Sequence, residues 1–170
     1  MKRLFLALEV PDFEKCAITL WREQALPELS APVITDNLHL TLCFLGNTEL
    51  EIEQELIAKL NHIESNKIHL SFTEMGYFKK PKVLYLKPQK TPHTLLNLVQ
   101  NLNEMVSSTE TNLNHLEYKP HITVARKVSQ YPNIVDSPNI QIQFTDIALY
   151  HSQSTHNGVR YKKLRSWPLN

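Results

Sequence analysis

Two short segments of this chain match each other: His39-Leu40-Thr41-Leu42 and His121-Ile122-Thr123-Val124, their histidines 82 positions apart. The shared pattern is histidine, apolar, threonine, apolar. On a strand, successive side chains point to opposite faces. Each segment therefore presents an imidazole and a hydroxyl on one face and buries two aliphatic side chains on the other. A fold that lays the two strands side by side through an approximate twofold gathers two imidazoles and two hydroxyls at one place. The feature points to a duplicated α+β unit.

The rest of the sequence supplies such a framework. Leu4, Leu6 and Leu8 alternate with Phe5, Ala7 and Glu9, predicting a first strand over Arg3 to Val10. A helix follows, with Asp12 as its cap and Phe13, Ala17, Leu20 and Trp21 on its apolar face. Asn37 to Leu45 reads as the second strand. Thr48 and Glu51 have capping-box spacing before a helix striped by Ile52, Leu56, Leu60 and Ile63. Strands are expected over residues 68–73 and 83–86, then a helix capped by Thr91 with Pro92 in its first turn. Leu95, Leu98, Val99, Leu102 and Val106 form its buried face, and a polar loop follows. Residues 121–126, 140–144, 147–150 and 159–164 complete the order β-α-β-α-β-β-α-β-β-β-β. No low-complexity linker divides the chain, so residues 1–170 read as one domain of two lobes.

Composition narrows the class. With 42% hydrophobic and 21% charged residues and no apolar run of membrane-spanning length, the chain reads as a soluble globular protein. The basic start at Lys2 and Arg3 is followed by too short an apolar stretch for a secretion signal. Cys16 and Cys43, each in an apolar pattern, are too few for a disulfide scaffold, and the expectation is a cytoplasmic monomer. The net charge of +1 conceals a division. Residues 1–78 hold 6 Lys and Arg against 12 Asp and Glu, whereas residues 79–170 hold 12 against 5. The later half thus offers a positive face to an anion, with Lys79, Lys80 and Lys82 in one cluster and Arg160, Lys162, Lys163 and Arg165 in another.

Two imidazoles flanked by two hydroxyls suit a phosphodiester. Its hydrolysis needs water activated on one side of phosphorus and the departing oxygen protonated on the other. Histidine performs either task near neutral pH. Thr41 and Thr123 are placed to donate to the non-bridging oxygens, where charge is held in the transition state. One such motif alone is weak; two matching copies outweigh a structural role. The sequence offers no His-Glu-x-x-His and no Cys-x-x-Cys, so no metal and no cofactor is expected. Nor is there a Gly-x-Ser-x-Gly, and Cys43, which shares strand parity with His39 and Thr41, reads as packing.

Beyond the motifs, the chain resembles the two-histidine phosphoesterases, in particular the bacterial and archaeal RNA 2′,3′-cyclic phosphodiesterases also known as 2′-5′ RNA ligases. The likeness extends through Arg3-Leu4-Phe5-Leu6-Ala7, Asp36-Asn37-Leu38 with Phe44-Leu45-Gly46, Lys119-Pro120, and the closing Leu149-Tyr150, Ser152, Gly158, Tyr161, Leu164 and Trp167. The resemblance implies two antiparallel sheets around a central cleft with helices outside. It implies opening of an RNA-terminal 2′,3′-cyclic phosphate, or that of a small cyclic nucleotide, to a 2′-phosphate. In that reading His39 donates the proton to the leaving 3′ oxygen and His121 accepts one from water. Arg126, five residues after His121, matches an arginine directed at the phosphate, which its forked guanidinium suits. Phe5 is the candidate to stack on the nucleobase. Of the other histidines, His62, His69, His93, His115, His151 and His156, none has a matching partner, and His151 stands nearest a stretch of family likeness. Two further readings compete: a non-catalytic module that holds RNA ends or cyclic nucleotides, and a phosphodiesterase for another cyclic or 2′-5′-linked substrate.

Overall fold

The computed structural model describes residues 1–107 and 117–170. The elements follow the expected order: β1 (Lys2–Glu9), α1 (Asp12–Ala25), β2 (His39–Thr48), α2 (Leu50–Leu60), β3 (Ile68–Phe78), β4 (Val83–Pro88), α3 (His93–Ser107), β5 (Ile122–Ala125), β6 (Ile140–Phe144), β7 (Asp146–Thr155) and β8 (Gly158–Pro168). A 3-10 turn over Thr35–Asn37 leads into β2. None of the described helices is long and apolar enough to cross a membrane.

The strands form one eight-stranded antiparallel sheet in the order β6-β3-β4-β5-β2-β1-β7-β8, where two sheets were expected. The reason lies at its middle. β2 and β5 pair there, through Leu40 opposite Ile122, and this single registered pair joins two four-stranded halves. The apolar residues of the alternating strands, among them Leu4, Leu6 and Leu8, Ile68, Leu70 and Phe72, and Ile140, Ile142 and Phe144, share a core with Leu56 of α2 and Leu98 of α3. The other face of β1 carries a smaller cluster in which Phe5 and Ala7 pack with Ala148, Tyr150 and Tyr161.

Several local expectations are corrected. α1 turns Ile18, Arg22 and Ala25 inward, leaving Phe13 82% and Leu20 56% exposed. The buried face is centred on an arginine that hydrophobic periodicity does not count. Cys16 is exposed on that outer side of the helix. Pro11, not Asp12, precedes the first turn of α1, and Glu49, not Thr48, precedes that of α2. Thr48 instead ends β2, its hydroxyl donating to the Gly46 carbonyl at 3.2 Å. Before α3 it is the Pro92 carbonyl that accepts from Leu96, so Pro92 caps and Thr91 stands outside. The hairpin of β7 and β8 extends past its apolar stretch, because pairing continues from Leu149↔Arg165 out to Thr155↔Gly158 through mainly polar residues that pass from half-buried to exposed. The polar loop expected after α3, including His115, falls outside the described residues.

Candidate active site

The pairing of Leu40 with Ile122 places the four motif side chains. In an antiparallel pair the partner number falls as the residue number rises, so His39 stands beside Thr123 and Thr41 beside His121. The cavities reflect this. One of about 360 Å³ is lined by Asn37, His39, Thr123, Arg126 and Tyr161. Another of about 740 Å³ is lined by Thr41, Phe44, Phe78, Tyr118 and His121.

Each imidazole is held the same way. The Nδ1–H of His39 donates to the Asn37 carbonyl at 2.6 Å, and that of His121 to the Lys119 carbonyl at 2.7 Å. A carbonyl only accepts, so Nδ1 carries the proton in both and Nε2 is left to exchange protons with a ligand. His39 Nε2 lies 3.0 Å from the Thr41 hydroxyl, which donates to it when the ring is neutral. Aromatic walls complete the seats. The His39 ring centroid lies 4.9 Å from Phe5 and 5.0 Å from Tyr161, and that of His121 lies 5.1 Å from Tyr85 and 5.3 Å from Phe78. The Tyr85 ring packs against Gly76, where a Cβ would overlap the phenol.

Burial dominates the protonation of both rings. It pushes His39 down to about 4, with smaller lowering from His121, Arg126 and Lys15 against a raising contribution from the Asn37 carbonyl. His121 is also lowered, by burial first and by Arg126, while the Lys119 carbonyl opposes. The guanidinium of Arg126 thus reaches both rings electrostatically, and its own side chain is exposed.

A matched pair of bulges positions what comes after each threonine. In β2, Thr41 pairs with Ala7 and Cys43 with Leu6, leaving Leu42 over; in β5, Thr123 pairs with Tyr85 and Ala125 with Leu84, leaving Val124 over. The extra residue breaks the alternation. Leu42 and Cys43 are both buried, as are Val124 and Ala125, and the site face resumes at Phe44 and Arg126. Cys43 is therefore a core residue, its thiol pushed up to about 11 by burial. The β5 bulge is buttressed: the Val124 carbonyl accepts from Val33 N–H at 2.9 Å and from the buried Arg22 at 3.1 Å.

Other expectations sort accordingly. Phe5 is 2% exposed, covered by His39, Tyr150 and Tyr161, and has no face to offer a base. Phe44, 68% exposed in the larger cavity, has one. His151 pairs with Leu4 and Lys162, and it is the adjacent Tyr150 whose ring approaches His39, at 6.3 Å. Sequence reading also missed Asn37. It is 8% exposed, its amide donates to the Val159 carbonyl at 2.7 Å, and its oxygen accepts from Tyr161 N–H at 3.1 Å. Extending the motif match to five residues beyond each histidine would have exposed Phe44 as the counterpart of Arg126; Asn37 was marked only by its place in the Asp36-Asn37-Leu38 stretch of family likeness.

The chain belongs to the 2′-5′ RNA ligase superfamily, whose family model matches residues 13–153. It is 30% identical to the RNA 2′,3′-cyclic phosphodiesterase of Escherichia coli K12, over 99% of this chain and 97% of that protein. It is 26% identical to the enzyme of the same name from Methanocaldococcus jannaschii, over 97% and 99%. The solved structure of E. coli LigT complexed with 3′-AMP superposes with a TM-score of 0.89 at 29% identity, covering 99% of this chain and 98% of that one.

Proposed function

We propose that this protein opens the 2′,3′-cyclic phosphate at RNA 3′ ends to a 2′-phosphate by proton transfer through His39 and His121. The observation that carries the reading is the Leu40–Ile122 pairing, which sets an imidazole and a hydroxyl on either side of one gap. The names of the relatives support the substrate.

Nε2 of neutral His121 takes a proton from water as the oxygen attacks phosphorus. The bond to the 3′ oxygen breaks, and protonated His39 delivers its Nε2 proton to that oxygen. Burial above all keeps His39 low in the free protein, and the nearby cations add to it; the bound anionic phosphodiester favours the charged ring, which takes its Nε2 proton from solvent on binding. Once Nε2 is protonated it no longer accepts from Thr41, and the Thr41 hydroxyl is released to donate to a non-bridging oxygen. Thr123 and Arg126 supply donors from the other strand. Phe44 offers its exposed face to the terminal base, the role expected of Phe5. We read the two four-stranded halves as duplicated lobes. A single chain provides every group named, which supports a monomer as the working unit. The same groups serve 2′-5′ ligation when a 5′-hydroxyl takes the place of water: His121 accepts the hydroxyl proton, the 3′ oxygen leaves with the proton of His39, and a 2′-5′ linkage forms.

The test is incubation of the purified protein, in excess EDTA, with an RNA ending in a 2′,3′-cyclic phosphate. The expected product is the 2′-phosphate, at an undiminished rate. Binding without turnover would make the protein a holder of RNA ends, and loss of turnover reversed by one divalent ion would replace the two-histidine mechanism.

A further inference from the structure

Five cations run along one side of the site. Lys79, Lys80 and Lys82 occupy the turn between β3 and β4, and Arg126 and Lys127 follow β5. All five are exposed, and among the described residues none of them takes part in an ion pair. The two stretches adjoin: Leu84 pairs with Ala125, and the Val128 N–H donates to the Lys82 carbonyl at 3.1 Å. Tyr77 fixes the junction from below, its hydroxyl donating to the Val128 carbonyl at 2.7 Å. Lys82 and Lys127 both hold left-handed backbone, with φ of 65° and 57°, a conformation that costs energy in residues other than glycine.

This ridge is continuous with the phosphate site. Lys127 lines the cavity that contains His39 and Arg126, and it also lines a neighbouring groove of about 390 Å³. That groove runs between Ser30 on one wall and Ser129, Gln130 and Tyr131 on the other, with Glu28 as its one carboxylate. Tyr131 is 49% exposed, so an aromatic face accompanies the charge. Unpaired cations of one sign beside hydroxyls and an aromatic ring fit a single-stranded polyanion with bases to stack.

We propose that this ridge is a track for the backbone of the RNA strand immediately 5′ of the cyclic phosphate, a proposal that rests on the functional reading above. The end group enters between the histidines, and each further phosphate upstream meets a lysine of the track. Long ends are then captured more tightly than cyclic mononucleotides. The difference is sensitive to salt, since each neutralised phosphate of a single strand releases about 0.7 of a counterion.

The test compares the wild-type protein with the triple variant Lys79→Gln, Lys80→Gln, Lys82→Asn, asparagine being chosen because it tolerates the left-handed backbone. A fluorescein-labelled ten-nucleotide RNA bearing a terminal 2′-phosphate is titrated by anisotropy from 50 to 200 mM KCl, and turnover of 2′,3′-cyclic AMP is measured alongside. For three lost contacts the slope of log affinity against log salt falls by about 2. The wild type then loses roughly 20-fold more affinity across that range than the variant. Cyclic AMP turnover stays unchanged, which also shows that the variant is folded. Equal slopes would overturn the track. So would a reduced slope accompanied by an equal loss of cyclic AMP turnover, which would put the lysines at the phosphate site itself. If the wild type did not turn over 2′,3′-cyclic AMP while the slopes differed, the functional reading would fall and the track would stand as an RNA-binding surface.

Discussion

The two motifs share a register, a bulge and a tautomer, yet their surroundings differ. His39 sits on a floor of Phe5 and Tyr150 with Tyr161 edge-on, and the carbonyl that holds it belongs to a buried asparagine tied to β8 at both ends of its amide. His121 stands against Phe78 and Tyr85, and its carbonyl belongs to Lys119, an exposed residue paired loosely with Glu117 at 3.7 Å. Five residues on, the first motif offers an aromatic face and the second a guanidinium. The matched pair stands between different walls, which make one end of the site unlike the other. A symmetric site would have no preference for which oxygen leaves.

The strongest test of that asymmetry is to remove each imidazole. His39→Ala and His121→Ala are each expected to lower turnover by about 10⁴, the upper end for a general acid or base. On a substrate whose leaving group needs no proton, His39→Ala recovers most of its rate and His121→Ala does not. Recovery of the His121 variant would exchange the two roles. Next come the hydroxyls. Thr41→Val and Thr123→Val each delete one donor to the charged oxygens, and kcat is expected to fall by about 10² to 10³. Parental rates in both variants would remove the hydroxyls from catalysis.

How much of this was legible beforehand depended on whether alternation held. The order of elements and the convergence of His39, Thr41, His121 and Thr123 follow from period-two patterning, which the strands obey up to each threonine. One residue later the bulges break the rhythm. Parity alone would put Cys43 with the site, although its apolar setting already read as packing, and it hid Phe44. A bulge depends on which of a strand's residues its neighbour leaves unpaired, here Leu42 opposite β1 and Val124 opposite β4, and the strand's own sequence does not record it. The inward face of α1 escaped for a related reason: Arg22 is buried because the Val33 and Val124 carbonyls need it, and those partners are remote in sequence. The union of two half-sheets likewise hangs on one tertiary pairing.

A smaller effect concerns stability. With His39 held at about 4 in the folded protein against about 6.5 unfolded, the unfolded chain binds the extra proton between these values. Stability from this group is complete above pH 6.5 and falls by about 3 kcal/mol as pH drops to 4. Denaturant titrations across that window measure it, and His39→Gln should flatten the curve. Bound 2′-AMP should narrow the window by raising the folded value. A curve unaltered by the substitution would mean that His39 is not the group that titrates.

The smallest effect is expected at Asn37. Asn37→Ala unpins the carbonyl that orients His39, and kcat on RNA should fall about tenfold. Because that carbonyl serves only the acid, the defect should vanish with the leaving group that needs no proton. A defect of equal size on both substrates would assign Asn37 to general folding.

The single rung between Leu40 and Ile122 has a mechanical consequence. A sheet resists bending through its ladder of hydrogen bonds, and here the ladder is narrowest between the two imidazoles. In the proposed reaction phosphorus passes from four neighbours to five as water adds, and the groups on either side follow its lengthening axis. The seam with the fewest rungs lies across that axis, with a four-stranded half-sheet on each side to carry His39 and His121.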